Sequence, residues 1–289
     1  MKGCFTAIIT PFLNEAVDYQ SLEKLIEHQI KLGIDGIVPC GTTGESPTLT
    51  HQEHEEVIKY VINKVNGRVK VIAGTGSNST AECLLMSTQA EKAGADALLL
   101  VAPYYNKPTQ QGLYHHYSEI AKAVGIEIII YNIPGRSSVN VEVETFKRLF
   151  EHKNITTVKE ASGSVDYASE ILNAIPEIDL LSGNDSLNLP LLSIGSVGCI
   201  SVLSNIYPDL VKKLYQLHGE GKNKEAQKLH FDLWDLCQAL FKETNPIPIK
   251  KACHLKNLIS SAEMRLPLVP CQDQLSEKIK NLLDKDIFH

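Results

Sequence analysis

The sequence lacks the features that mark membrane, secreted and nucleic-acid-binding proteins. No apolar run approaches the ~20 residues that a membrane helix needs. No long basic run is present, and the formal net charge of −6 argues against a nucleic-acid partner. The N-terminus shows neither the apolar core nor the cleavage site of a signal peptide. We therefore expect neither a membrane protein nor a nucleic-acid-binding protein.

The seven cysteines do not suggest a disulfide framework, because they are odd in number, scattered and without a Cys-x-x-Cys pair. Such spacing is typical of free thiols in a reducing compartment, so we expect a cytoplasmic protein. Cys40 and Cys199 lie in apolar runs, where cysteine is usually a small core residue. With 43% hydrophobic and 21% charged residues, the chain has a globular composition.

What the chain does contain is an alternation of short apolar runs with longer amphipathic segments. Eight runs have the length and composition of buried strands: Cys4–Ile9, Gly36–Cys40, Val69–Ala73, Ala97–Val101, Glu127–Tyr131, Ile155–Lys159, Ile178–Ser182 and Gly198–Val202. Helical spacing is found between them, in Tyr19–Leu32, His51–Val65, a segment after Ser79, Gln110–Val124, Val141–Phe150, Asp166–Ala174 and Ser186–Ile194. Two helix starts contain predicted capping boxes, Thr50 with Glu53 and Ser79 with Glu82.

Eight strand–helix units in about 200 residues predict an α/β protein with a closed (β/α)8 TIM barrel. A doubly wound open sheet is the alternative, and the lack of a glycine-rich dinucleotide fingerprint argues against it. Later helical patterns are Pro208–Leu217, Asn223–Lys242, Pro246–Leu255 and Gln274–Leu283. We expect a barrel over residues 1–207 and a C-terminal α-helical extension over residues 208–289.

One lysine, Lys159, stands at the end of a strand that should be buried. Burying an unpaired ammonium is costly, so this side chain either reaches water with its head group or has a lowered pKa. Only the neutral amine attacks a carbonyl to form a Schiff base. Because chemistry in a TIM barrel lies where strands end, the residues at the other strand ends decide between these roles.

Those strand ends contain hydroxyl, phenol and guanidinium groups. Gly41-Thr42-Thr43-Gly44-Glu45-Ser46 can expose backbone N–H groups to a carboxylate, although an ordinary turn has the same composition. The phenol of Tyr131 can shuttle a proton and the guanidinium of Arg136 can hold a carboxylate. Tyr104 and Tyr105 have packing as their default role. Together with the lysine, these groups suit imine formation with a small keto acid.

Three motifs resemble those of the dihydrodipicolinate synthase (4-hydroxy-tetrahydrodipicolinate synthase) family of pyruvate-dependent class I aldolases: Gly41-Thr42-Thr43-Gly44-Glu45, Tyr131-Asn132-Ile133-Pro134-Gly135-Arg136 and Val158-Lys159-Glu160-Ala161-Ser162-Gly163. The likeness extends from Thr6-Ala7-Ile8-Ile9-Thr10-Pro11-Phe12 to Asn245-Pro246-Ile247-Pro248-Ile249-Lys250. It implies a barrel with a C-terminal helical domain, no metal or organic cofactor, and a homotetramer built as a dimer of dimers.

The resemblance implies a lyase that condenses pyruvate with L-aspartate 4-semialdehyde to 4-hydroxy-tetrahydrodipicolinate, the first committed step of diaminopimelate and lysine biosynthesis. Lys159 would form the imine, with Tyr131 as general acid and base. Thr42 would link Tyr131 to Tyr105, which would reach in from the neighbouring subunit. The other implied residues are Thr43 for the pyruvate carboxylate, Arg136 for the carboxylate of the aldehyde, and Gly183 and Ile200 around the lysine.

The resemblance also implies an allosteric site at which L-lysine, the end product, inhibits the enzyme. The six matching residues follow three neighbouring strands: Ser46, His51, His54, Asn78, Glu82 and Tyr104. The simpler alternative is that Glu82 only closes the capping box and that both histidines are exposed on a helix. Pro47 and Ser79 replace the alanines common in lysine-sensitive members, which leaves the shape of the pocket open.

Three other functions match parts of the sequence. An N-acetylneuraminate or keto-sugar-acid lyase would share the barrel and the lysine, but such lyases typically lack an arginine at position 136. A non-catalytic binding protein would not need both Lys159 and Tyr131. A metal-dependent aldolase would need a ligand cluster, and the clustered histidines, His51-x-x-His54 and His115-His116, have no third ligand near them in sequence.

Overall fold

A computed structural model describes residues 1–285, which form a closed eight-stranded parallel barrel surrounded by helices. The strands in chain order are β1 (Gly3–Ala7), β2 (Phe12–Leu13), β3 (Ala16–Val17), β4 (Gly36–Val38), β5 (Lys70–Gly74), β6 (Ala97–Val101), β7 (Glu127–Asn132), β8 (Ile155–Glu160), β9 (Asp179–Ser182) and β10 (Gly198–Ser201). β1 and β4 to β10 close the barrel in sequence order, while β2 and β3 form a separate antiparallel hairpin. The predicted (β/α)8 fold is confirmed.

Helices follow the barrel strands and then continue beyond the last one. They are α1 (Tyr19–Lys31), α2 (His51–Val65), α3 (Thr80–Ala93), α4 (Gln110–Ala123), α5 (Pro134–Ser137), α6 (Val143–Leu149), α7 (Val165–Ala174), α8 (Asn188–Ser193), α9 (Pro208–Gly219), α10 (Asn223–Ala239), α11 (Ile247–Leu255) and α12 (Asp273–Leu283). Among the helices of residues 1–285, none has the length and apolarity to cross a membrane.

Where a predicted boundary was wrong, the local sequence explains the difference. β4 ends at Val38 rather than at Cys40, because Pro39 has no N–H for the ladder and Cys40 adopts a φ of 55°. The helix predicted to reach Lys242 ends at Ala239, and the N–H of Lys242 bonds the Ala239 carbonyl in a tighter final turn.

Two further helices begin later than the sequence predicted. α6 begins at Val143 and not at Val141, because the backbone N–H of Val141 donates to the side chain of Asn132. The segment predicted as one helix from Ser186 to Ile194 is a 3₁₀ turn, Asp185–Leu187, followed by the six-residue α8. Proline cannot donate a hydrogen bond in a helix interior, so Pro190 can lie only in the first turn of a helix. α8 accordingly begins two residues before it, at Asn188.

Two apolar layers form the core, one inside the barrel and one between strands and helices. The inner layer includes Phe5, Leu99, Ile129, Leu181 and Ile200, and Tyr131 belongs to it. The outer layer continues without a break into the C-terminal helices. Because side chains alternate along a strand, the residues at the inner face of each strand end project into the barrel mouth.

Candidate active site

Lys159 and Tyr131 are neighbours on adjacent strands at the C-terminal end of the barrel. The register of β7 and β8 pairs the two residues directly. The Lys159 Nζ lies 3.8 Å from the centroid of the Tyr131 ring, and the lysine is only 6% exposed. The lysine head group is thus held inside the barrel against a phenol.

Burial has a strong effect on both titratable groups. Desolvation lowers the pKa of Lys159 to about 7; the negative charge of Asp185 opposes this shift, and the positive charge of Arg136 adds to it. Burial likewise raises the pKa of Tyr131 to about 12, although Arg136 and a hydrogen bond with Thr42 lower it somewhat. At pH 7 the site therefore holds a lysine of which about half is the neutral, reactive amine, beside a protonated phenol.

A cavity of about 210 Å³ opens beside Tyr131, the neighbour of Lys159. Its lining residues are Cys40, Gly41, Thr42, Ser46, Pro47, Gly74, Gly76, Leu99, Val101, Tyr104, Tyr131, Ile133, Arg136 and Ser137. Arg136 enters the cavity from α5, a four-residue helix that begins with Pro134. Its Nη2 atom donates to the Asn245 carbonyl at 2.9 Å, which fixes the guanidinium at the rim.

The remaining predicted substrate residues lie around the lysine and the rim. A Cβ atom on Gly183 would lie 3.0 Å from Lys159 Cε and 2.7 Å from Ala161 Cβ, so no larger residue fits there. Ile200 packs in the same inner layer as Tyr131. Thr43 is buried, and its Oγ1 accepts a hydrogen bond of 2.9 Å from the Asn245 amide.

Tyr105 is the predicted catalytic residue that the single chain does not bring into the site. Its side chain is 89% exposed, and its backbone adopts a φ of 71°. A positive φ is unfavourable for a residue with a bulky side chain, so the loop holds this ring outward at some energetic cost.

A second cavity of about 170 Å³ contains five of the six residues predicted to bind L-lysine. Its lining residues are Ser46, Pro47, Leu49, His51, His54, Gly76, Ser77, Glu82, Met86 and Tyr104. Asn78 is not in the lining, but its amide donates to the Tyr104 carbonyl at 3.1 Å. Ser46 and Tyr104 line both this cavity and the one beside Tyr131.

Only one of the two hydrogen bonds of the capping box predicted at α3 is present, so that prediction was partly wrong. The Ser79 hydroxyl does accept from the Glu82 N–H, at 3.4 Å. The Glu82 carboxylate, however, accepts from the Ser77 hydroxyl and lies 3.1 Å from the His51 Nε2, so it faces the cavity. The Thr50–Glu53 box at α2 is complete.

The two histidines of this cavity differ in environment. His51 is exposed, whereas His54 is buried, and desolvation lowers the pKa of His54 to about 4. Within residues 1–285 the Nε2 atom of His54 has no hydrogen-bond partner. The alternative that both histidines are simply exposed therefore fails for His54, which presents a neutral ring.

Sequence reasoning missed three groups that support the site. Asp185 is buried and accepts from the backbone N–H groups of Val202 and Leu203, at 2.9 and 2.8 Å. Glu160 accepts from the Asn132 amide behind the Lys159–Tyr131 pair. Asn245 contacts two predicted substrate residues from the C-terminal extension. Of these three residues, only Glu160 has a signal in the sequence, because it is a charged residue inside an apolar run.

The clustered histidines have other contacts. His115 lies 2.7 Å from the Gln111 amide, and His116 lies 2.9 Å from the Thr80 hydroxyl. Within residues 1–285, no group of three or more His, Cys, Asp or Glu side chains is placed to hold a metal ion.

A parallel barrel with a buried lysine of lowered pKa at its C-terminal mouth is the arrangement that an enzyme needs to bind a carbonyl substrate through a lysine. The sequence profile of the Dihydrodipicolinate synthetase family matches residues 1–286. The chain therefore belongs to the dihydrodipicolinate synthetase family.

Individual relatives agree over almost the whole chain. The 4-hydroxy-tetrahydrodipicolinate synthase of Endomicrobium trichonymphae is 51% identical over 283 residues, which cover 98% of this chain and 97% of the relative. The structure of the synthase from Methylacidiphilum fumariolicum SolV has a TM-score of 0.96 at 50% identity, with 98% and 95% of the chains covered. The enzyme from Cyanidioschyzon merolae with lysine bound has a TM-score of 0.94 at 39% identity, with 98% and 97% covered.

Proposed function

We propose that this protein condenses pyruvate with L-aspartate 4-semialdehyde to 4-hydroxy-tetrahydrodipicolinate, the first committed step of diaminopimelate and lysine biosynthesis. The observation that supports it most directly is the buried Lys159 with its pKa near 7 against the Tyr131 ring. The named relatives are synthases of this product, and they give no support to a keto-sugar-acid lyase.

In the proposed mechanism the neutral Lys159 amine attacks the keto carbon of pyruvate. Tyr131, hydrogen-bonded to Thr42, donates the proton with which the carbinolamine loses water, and the imine forms. Tyr131, now a phenolate, takes a methyl proton and the imine becomes the enamine. The enamine carbon attacks the aldehyde carbon of the second substrate, and the aldehyde oxygen takes the proton from Tyr131 and becomes the hydroxyl. The amine of that substrate then displaces Lys159 and closes the ring, which frees the lysine for another turnover.

Trapping with borohydride tests the imine. Incubation with pyruvate followed by reduction should leave a pyruvyl adduct on the peptide that contains Lys159. Lys250 is a demanding internal control, because it is also fully buried but is paired with Glu45. Modification of Lys250 or of the exposed Lys107, or no adduct at all, would contradict the mechanism. Lys159→Arg should abolish turnover, since a guanidinium stays protonated.

We propose that Arg136 selects the second substrate by binding its carboxylate. A hydrogen bond to a charged group contributes about 1.5–3 kcal/mol, so Arg136→Ala should raise the KM for the aldehyde roughly 10- to 100-fold. Imine formation with pyruvate should persist, because Lys159 and Tyr131 remain. Loss of pyruvate binding with an unchanged KM for the aldehyde would refute this assignment.

We propose that L-lysine binds in the second cavity. The carboxylate of Glu82 and the unprotonated ring of His54 suit an ammonium group, and a lysine-bound relative is known. Initial rates at rising L-lysine should fall, with a coupling of about 1–3 kcal/mol, and Glu82→Ala should be insensitive. Glu56→Ala, at an exposed position of α2, should stay sensitive. Equal inhibition of all three proteins would place the site elsewhere.

We propose a homotetramer, a dimer of dimers, in which Tyr105 completes the site of the neighbouring subunit. The support is the outward-held ring of Tyr105. Mixed oligomers of Tyr105→Phe and Lys159→Ala subunits should regain activity that neither variant has alone. Absence of recovery despite verified subunit exchange would refute the shared site, and sedimentation should give the mass of four chains.

Two broader predictions complete the proposal. We propose a catalytic barrel over residues 1–207 and a C-terminal helical domain over 208–289, of which residues 286–289 lie outside the described part. A cytoplasmic location is supported by the seven cysteines, all of which are free thiols.

A further inference from the structure

The start of the segment Asn245–Lys250, in the C-terminal extension, contacts both parts of the substrate site. The side-chain amide of Asn245 donates to the Thr43 hydroxyl at 2.9 Å. Its backbone carbonyl accepts from the Arg136 guanidinium, also at 2.9 Å. One residue of the extension is therefore bonded to the two groups proposed to bind the carboxylates of the two different substrates.

The other end of this segment is fixed by a buried ion pair. Lys250 donates to the Glu45 carboxylate, and neither side chain has any exposed surface. Lys250 also donates to the Glu263 carbonyl at 3.0 Å, and its Nζ lies 4.3 Å from the Phe12 ring centroid. Such a pair holds a defined geometry, because either charge alone would be buried without compensation.

Glu45 belongs to the same loop as Thr43, so the ion pair and the Asn245 amide fix one loop at two points. The backbone at Glu45 adopts a φ of 54°, a conformation that a residue with a side chain keeps only when its surroundings impose it. The loop has its own turn hydrogen bonds, from the N–H of Gly44 to the Gly41 carbonyl and from the N–H of Glu45 to the Thr42 carbonyl, and the C-terminal extension holds it at two further points.

We infer that Asn245 is a positioning residue of the active site, acting through Thr43, and that the Glu45–Lys250 pair fixes the segment from which it acts. This inference rests on the proposed function and extends it to the C-terminal extension. Asn245 sets where the Thr43 hydroxyl stands relative to Arg136, and therefore where the pyruvate carboxylate binds relative to the second substrate.

A double-mutant cycle of Asn245→Ala and Thr43→Val tests the inference. Asn245→Ala removes the amide but keeps the carbonyl that Arg136 contacts. Losing one hydrogen bond should raise the KM for pyruvate about tenfold, with the KM for the aldehyde changed by less than about twofold. The double variant should be no worse than Thr43→Val alone, because the amide acts only through that hydroxyl.

Additive losses in the cycle, or an unchanged KM for pyruvate in Asn245→Ala, would overturn the inference. Asn154→Ala serves as the matched control, because that amide bonds the Ala121 and Val124 carbonyls away from the rim, and its KM values should match those of the parent. If Asn245→Ala does not fold, Asn245→Leu keeps the volume and has the same expected result.

A second variant tests the ion pair without leaving a lone buried charge. Glu45→Gln combined with Lys250→Met should fold and should raise the KM for pyruvate in the same direction as Asn245→Ala. Unchanged kinetics in this folded double variant would overturn the role of the pair. The parent is trapped with pyruvate and borohydride first: a parent without an adduct on Lys159 refutes the proposed function itself, whereas an adduct together with additive losses refutes only this inference.

Discussion

The pH dependence of imine formation follows directly from the environment of Lys159. Its pKa falls from 10.5 to about 7 on burial, so about half of the amine is neutral at pH 7. An ordinary lysine at that pH is neutral in only about one molecule in 3,000. The rate of imine formation should therefore rise about tenfold per pH unit below 7 and level off above it.

Timed trapping measures this rate. The enzyme is mixed with subsaturating pyruvate at pH values from 5.5 to 9.5, each sample is quenched with borohydride at a common pH, and the adduct is quantified by mass spectrometry. A rate that keeps rising tenfold per unit beyond pH 9 would show that Lys159 titrates as an exposed lysine, and would refute the argument from burial.

The charges near Lys159 predict the direction in which the midpoint of this pH profile should shift when one of them is removed. The negative charge of Asp185 raises the pKa of Lys159, so Asp185→Asn should move the midpoint of the profile to lower pH. Asparagine can still accept from the backbone N–H groups of Val202 and Leu203 through one oxygen, whereas the other oxygen of Asp185, which accepts from the Asn188 amide at 3.3 Å, becomes an NH2 group. Asp166→Asn, at an exposed position of α7, should leave the midpoint unchanged. A shift of the Asp185→Asn midpoint to higher pH would contradict the electrostatic assignment.

Three further perturbations have defined outcomes. Tyr131→Phe should lower kcat about 10²- to 10⁴-fold in a folded protein, measured by steady-state kinetics, because it removes only the proton shuttle. Gly183→Ala should displace Lys159 and lower both adduct yield and thermal stability, since the new methyl has no space. Glu53→Gln should cost about 1–3 kcal/mol in urea unfolding by weakening the Arg265 pair. Because the pKa of Glu53 is lowered to about 2, this loss should be full above pH 4.5 and vanish as pH falls through 2.

The barrel and the chemical centre could be predicted because their signals are local. Each barrel strand is a short apolar run bounded by polar residues, and eight such runs in sequence permit few topologies. Lys159 is recognisable because it is a charged residue at the end of a buried run, where burial must alter its pKa.

The rest of the site depends on contacts that sequence spacing does not encode. α5 has four residues, too few for helical periodicity to register, yet it directs Arg136 into the cavity. The hydrogen bond between Asn245 and Thr43 joins residues more than 200 positions apart. The Glu82 carboxylate could satisfy a capping box or face a cavity, and only the position of Ser77 and His51 decides between them.

The two buried lysines should have opposite effects on stability. A folded pKa of about 7 against 10.5 when unfolded means that protonated Lys159 disfavours the fold, by about 4–5 kcal/mol at pH 7. The unfolded chain binds more protons between these two values, so the penalty is full below pH 7 and disappears as the pH rises towards 10.5. Lys159→Met should therefore raise the free energy of unfolding at pH 7, with a gain that shrinks at alkaline pH.

Lys250→Met should lower the free energy of unfolding by about 3–5 kcal/mol, because it leaves the buried Glu45 carboxylate without its cation and with only the backbone N–H of Arg265 as a partner. Urea unfolding of both variants and the parent, at pH 7 and pH 10, measures the two effects. If the difference in unfolding free energy between Lys159→Met and the parent is the same at pH 7 and pH 10, the protonated Lys159 carries no burial penalty. The proposed origin of its reactivity is then wrong.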